Sequence, residues 1–143
     1  MKMKIVGFLL FLSLAVSAQE MKKLTFNQSL EKAQTENKNV LLYFSGSDWC
    51  APCVKFKKHF VNTDLFLQYS SENLILFNAD FPRLKKNQLP ENQAVENEKL
   101  AEKYNNKGIF PLILLLNSKG EILKKWEQYP AETLENFIAN LKG

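Results

Sequence analysis

Five residues, Trp49-Cys50-Ala51-Pro52-Cys53, sit between an apolar run, Val40-Leu41-Leu42-Tyr43-Phe44, and a stretch in which Val54, Phe56, Phe60 and Val61 recur at helical spacing. The run does not alternate, so it reads as a central strand covered on both faces. Ser45-Gly46-Ser47-Asp48 breaks it, and Pro52 falls where a first helical turn tolerates a missing amide. A Cys-x-x-Cys pair at such a strand-to-helix junction reads as redox-active rather than structural. Its spacing lets the two sulfurs approach bonding distance. Cys50 faces the free amides and positive end of the helix, which predicts a lowered thiol pKa. Asp48 opposes this, since a nearby carboxylate raises a thiol's pKa. Cys53, one turn further in, is expected to be more buried and less acidic, and to resolve the mixed disulfide that Cys50 forms.

The rest of the chain supplies alternating elements. Residues 27–37 read as a helix capped by Asn27, with Leu30, Ala33 and Gln34 on one face. A short helix capped by Thr63 or Asp64 runs to about Ser70, and Leu74-Ile75-Leu76-Phe77-Asn78-Ala79 is a second buried strand. Residues 83–93 have little periodicity and read as a surface insertion. A helix over 94–104 turns Val95, Leu100, Ala101 and Tyr104 inward. After Pro111, a strand over 112–116 and one over 121–128 form a hairpin around Asn117-Ser118-Lys119-Gly120. A last helix, 131–141, presents Leu134, Phe137, Ile138 and Leu141 to the sheet. The class is α/β, with a mixed sheet flanked by helices on both faces.

At 143 residues, 45% hydrophobic, the chain suits one domain with a core that needs no disulfide framework. Arg83 is the only arginine, and the lysine pairs 22-23, 57-58, 85-86 and 124-125 are scattered solvated faces, so nucleic acid is not an expected partner. A structural disulfide leaves Trp49 and Pro52 without a role. Zinc in a closed site takes four ligands, and two cysteines with the lone His59 fall short; no metal is expected. Haem attachment would need histidine where Val54 stands. His59 reads as a surface residue, Phe56, Phe60, Phe66 and Phe77 as core, and Trp49 as core filler or a substrate-facing rim.

Residues 1–18 read as a signal peptide. Lys2 and Lys4 precede an apolar run of residues 5–14, and Ala15-Val16-Ser17-Ala18 presents small residues for cleavage after Ala18. Residues 5–18 fall short of the roughly 20 that a membrane span takes. No cysteine follows the cleavage point to carry a lipid. With the two lysines removed, the formal charge of +4 falls to +2. The expected mature protein, residues 19–143, is a single soluble domain, exported, and periplasmic in a bacterium with two membranes.

From about residue 40 to 141 the chain resembles the thioredoxin family, through Trp49-Cys50-Ala51-Pro52-Cys53, Asn78-Ala79-Asp80, Gly108-Ile109-Phe110-Pro111 and the Asn117-Gly120 turn. The resemblance implies the thioredoxin fold. It also implies a cis peptide bond before Pro111, which would pack against the cysteines, and pairing of the Ile109 and Phe110 backbone with an extended substrate segment. A buried acid that family members place before the active site is absent here. Its nearest counterparts are Tyr43 or Phe44, and the partner lysine is also missing. Help for Cys53 is therefore left to Tyr43, Asp48, water or the substrate. The expected function is an exported thiol-disulfide oxidoreductase, tuned by Ala51 and Pro52 between the cysteines, and by resemblance to reducing thioredoxins a reductant or electron relay. An oxidase or isomerase is the alternative, and a non-catalytic client-binding module another. No cofactor is implied beyond the cysteines. Expected partners are protein disulfides or thiols and an upstream, membrane-bound thiol donor, with the protein a monomer.

Overall fold

The computed structural model describes residues 23–143, so the signal peptide over 1–18 lies outside the described residues. Helix α1, Phe26–Glu36, starts one residue before the expected helix because Thr25, not Asn27, caps it. The Thr25 hydroxyl accepts from the Gln28 amide at 3.2 Å, and the Thr25 amide donates back to Gln28 Oε1 at 2.9 Å. Such a reciprocal box satisfies two otherwise orphaned donors. Its buried face is Phe26, Ser29 and Ala33, and Gln34 is exposed.

Strand β1, Asn39–Ser45, leads into α2, Ala51–Phe56, which continues as a π-helical segment, Lys57–Val61. The extra residue in that turn brings Phe60 and Val61 inward together, while Val54 is half exposed, against expectation. Helix α3, Asp64–Asn73, capped by the Thr63 hydroxyl, extends three residues past the expected end. Strand β2, Leu74–Asp80, follows. After a 3-10 turn, Lys85–Asn87, come α4, Glu91–Tyr104, then β3, Leu112–Leu116, β4, Ile122–Trp126, and α5, Leu134–Lys142.

The sheet order is β2-β1-β3-β4, with β1 parallel to β2 and antiparallel to β3, and β4 antiparallel to β3. The mixed sheet and closing hairpin of the expected class are present. Because β2 is an edge strand, Leu76 is partly exposed, a departure from the fully buried reading. Alternate β1 residues feed two cores. Val40, Leu42 and Phe44 pack with Phe26, Ala33 and Leu100 on one face; Leu41 and Tyr43 pack with Phe56, Phe60, Phe66 and Phe137 on the other.

Two boundary corrections shape the site. The region read as an 83–93 insertion is shorter, since Pro90 caps α4 and Glu91 already lies in its first turn. Within α4, Val95 is exposed and Asn97 takes the buried place, donating to the Asp80 carbonyl at 3.0 Å. At the other end, β4 is shorter than expected and α5 starts three residues late, where Thr133 accepts from the Asn136 amide.

Candidate active site

Parallel pairing brings the carboxyl ends of β1 and β2 level, with Ser45 opposite Asp80, at the edge where such sheets place their sites. The chain leaves β1 through a tight turn in which the Gly46 carbonyl accepts from the amides of Trp49 at 3.2 Å and Cys50 at 2.9 Å. Gly46 is required there because a Cβ would meet the Trp49 indole at 2.2 Å. Asp80 holds the turn from the side. Its carboxylate accepts from the Ser47 amide at 2.9 Å, the Ser47 hydroxyl at 2.5 Å and the Ser45 hydroxyl at 3.2 Å. Nothing in the sequence marked this buttress beyond the Asn78-Ala79-Asp80 string.

Cys50 is the N-cap of α2 and is bonded to Cys53, with Cα atoms 5.3 Å apart. The Cys53 amide donates to Cys50 Sγ at 3.3 Å. One free amide of the helix start is thus aimed at the first sulfur, the arrangement that stabilises a thiolate once the pair is reduced. Both cysteines are buried, at 5% and 3% exposure, so the expected contrast between them is slight in the oxidised pair. Ala51 and Pro52 between them are exposed.

Trp49 forms a rim. Its Nε1 donates to the Phe81 carbonyl at 2.7 Å, and its ring meets the Phe110 ring edge-on at 5.2 Å. The Phe110-Pro111 bond is cis, as the resemblance implied. The structure departs from the resemblance at Ile109, whose amide N–H is already committed within the chain. It donates to Asn105 Oδ1, and Asn105 Nδ2 donates to the Ile109 carbonyl, both at 2.8 Å. Sequence reading missed Asn105, which is 5% exposed inside a stretch that looked like a polar helix end.

Asp48 does not point at the cysteines as a lone charge. Its carboxylate accepts from the Arg83 amide at 2.9 Å, the Leu84 amide at 3.0 Å and Asn87 Nδ2 at 3.1 Å. The Arg83 amide bond chiefly, and the other two donors after it, hold its carboxyl below the usual range. Burial raises the Tyr43 phenol to about 12, with the Asp80 charge adding to it. Tyr43 is therefore neutral near neutral pH, a hydrogen-bond donor rather than a base. A cavity of about 300 Å³ opens beside Cys53, lined by Tyr43, Ser45, Lys57, Lys58, Asn62 and Asn78. A larger cleft of about 500 Å³, among Asn37, Lys38, Tyr69 and Asn117, touches neither cysteine. His59 is exposed and its Nδ1 lies 3.2 Å from the Tyr129 hydroxyl, a surface contact.

Fold and site together define a thioredoxin-fold protein with a bonded Cys-x-x-Cys pair at a helix start. A profile of thioredoxin-like sequences matches residues 20–118, and the chain belongs to that family. Among curated relatives it is similar to disulfide bond reductase DsbH of Chlamydia pneumoniae, 28% identical over 110 residues, which cover 77% of this chain and 64% of that protein. It is also similar to thioredoxin-related protein DsbJ of the same organism, 27% identical over 71% of this chain and 28% of that one. The chain thus spans less than two thirds of the curated relatives it matches. The solved structure of DsbH oxidoreductase superposes with a TM-score of 0.74 at 25% identity, covering 96% of this chain and 92% of that one.

Proposed function

We propose that this protein is a thiol-disulfide oxidoreductase that reduces, or relays electrons to, protein disulfides outside the cytoplasm. The observation that carries the reading is the Cys53 amide directed at Cys50 Sγ from the first turn of α2. In the reduced protein the Cys50 thiolate attacks one sulfur of a client disulfide, forming a mixed disulfide and releasing one client thiolate, which takes a proton. The Cys53 thiolate then attacks Cys50 Sγ, releases the second client thiol and leaves the Cys50-Cys53 bond. Two electrons pass to the client, and an upstream dithiol returns them. The redox equivalents reside on the cysteines, so no organic cofactor enters the cycle.

Several features support the parts of this reading. Trp49, next to Cys50 in the chain, meets the Phe110 ring, and among the described residues no side chain clamps the Phe110 backbone as Asn105 clamps that of Ile109, which makes Phe110 the residue for strand addition by a client. Lys57 and Lys58 line the cavity beside Cys53, where positive charge favours its thiolate; this takes the place of the missing acid. The reductive direction rests on the Ala51-Pro52 pair and on the likeness to a protein named a disulfide bond reductase. Export rests on the pattern of residues 1–18.

The decisive experiment is the reduction potential of the pair against glutathione, where about 30 mV corresponds to roughly 1.4 kcal/mol. A potential below the glutathione poise is expected; one well above it would make the protein an oxidase or isomerase. Cys50→Ser is expected to abolish exchange and Cys53→Ser to trap a mixed disulfide. Client binding that persists unchanged without either cysteine would instead establish a non-catalytic module.

A further inference from the structure

The segment from Phe81 to the start of α4 lies against the redox rim. The Phe81 carbonyl holds Trp49 Nε1, the Phe81 ring packs edge-on against Phe110 at 5.6 Å, and the Arg83 guanidinium stacks on the indole with its carbon 3.8 Å from the ring centre. The segment is fastened as well as close. Asp48 receives its three donors, and Gln88 Nε2 donates back to the Pro82 and Leu84 carbonyls at 3.3 Å. This contact holds the guanidinium over the indole at the rim of the site. A guanidinium held this way is suited to a planar, two-point grip on a carboxylate.

Charge points to the same class of partner. From residue 81 to 90 the strap carries Arg83, Lys85 and Lys86 and no acid, and it remains net positive with Asp48 included. Among the described residues no carboxylate oxygen lies within 4.0 Å of the Arg83 guanidinium. Leu84, 48% exposed, adds an apolar contact next to it.

We propose that residues 82–89 form the client-selecting wall of the redox groove, with Arg83 gripping a carboxylate in a client segment that flanks the disulfide under attack. The partner is an acidic stretch of protein chain, and the inference rests on the oxidoreductase reading above. Three peptides of one sequence, carrying Glu, Gln or Lys two residues from an intermolecular disulfide, test it through second-order rate constants of the reduced protein at low ionic strength. The Glu peptide is expected to react about tenfold faster than the Lys peptide, the scale of one charge-assisted contact. In Arg83→Gln that ratio is expected to fall to near one, in Arg83→Glu to invert, and in Arg83→Lys to shrink without vanishing, because the charge stays and the planar grip is lost. A wild-type ratio near one, or a ratio that survives Arg83→Gln, overturns the proposal. Equal slowing of all three peptides in the variants also overturns it, and leaves Arg83 as a prop for Trp49. A reduced protein that reacts with none of the peptides would overturn the oxidoreductase reading and this proposal with it, whereas equal reaction with all three overturns the strap alone.

Discussion

Asp48 stands two residues before Cys50, and a carboxylate at that spacing looks at first like an obstacle to a thiolate. Its oxygens are instead committed to three donors of the strap, so its charge is used to fasten Arg83 beside Trp49. The same bonds, that of the Arg83 amide first, depress its pKa. The sign of the consequence follows. A carboxyl whose folded pKa lies below its unfolded value contributes stability that is present above the ordinary carboxylate range and lost as pH falls through the folded value. The strap is therefore expected to loosen in acid below that range. In a Trp126→Phe background, where Trp49 is the only indole, its emission should show an acid step that is missing in Asp48→Asn, because an amide has no proton to take up in that range. An unchanged step in Asp48→Asn would mean that another group governs it.

At the scale of elements, the turn between α4 and β3 is shaped by a single side chain. Asn105 grips both backbone polar groups of Ile109, which fixes the turn leading into Phe110 and the cis bond to Pro111. Replacing a buried, doubly bonded amide leaves unsatisfied groups that cost about 1–3 kcal/mol. Asn105→Ala should lose stability of that order in urea unfolding and also slow exchange with protein disulfides more than with a small disulfide, since only the former needs the Phe110 strand. Equal slowing of both would place the defect at the cysteines. Asn105 also shows why some of the site was not legible in the sequence. Asn-Asn-Lys-Gly after a helix is sufficient to predict a helix end, but which asparagine turns inward is set by the tertiary approach of residues 105 and 109. The cysteine pair and the apolar strands were readable because each depends on local pattern, and the cis bond before Pro111 was implied by the family resemblance. By contrast Thr25, Asn97, Asp80 and the Arg83-Trp49 stack act between segments 17 or more residues apart or through a shift of one or two positions in a helix face, and periodicity is blind to both. Val95 was expected to turn inward, whereas Asn97 takes the buried place in α4; Val54, grouped by spacing with Phe56, Phe60 and Val61, is half exposed while those three are buried.

Across the whole molecule the two faces of the sheet divide the labour. The face with α1 and α4 carries Phe26, Phe77 and Leu100 and supports the turn to Pro111, while the other seats the redox helix on a nest of rings. Phe137 of α5, fully buried, is the centre of that nest: its ring centroid lies 5.9 Å from Phe56, 5.1 Å from Phe60, 6.3 Å from Phe66 and 4.8 Å from Trp126. Helix α5 thus packs through Phe137 against Phe56 of the helix that bears the cysteines. Truncation of a buried phenylalanine removes its transfer energy and leaves a cavity, about 3–5 kcal/mol in all. Such a loss is a large share of a domain's total stability of roughly 5–15 kcal/mol. Phe137→Ala should lower the urea midpoint accordingly, while Leu123→Ala on exposed β4, 49% exposed, should move it by no more than about 0.5 kcal/mol. Because Phe56 lies three residues beyond Cys53 in the same helix, loosening the nest should also weaken the amide held against Cys50 Sγ and raise the Cys50 thiol pKa in the reduced protein. Thiol titration of Phe137→Ala at a urea concentration where it remains folded checks this. A lost urea midpoint with an unaltered Cys50 titration would show that the core supports the fold without setting the chemistry of the pair.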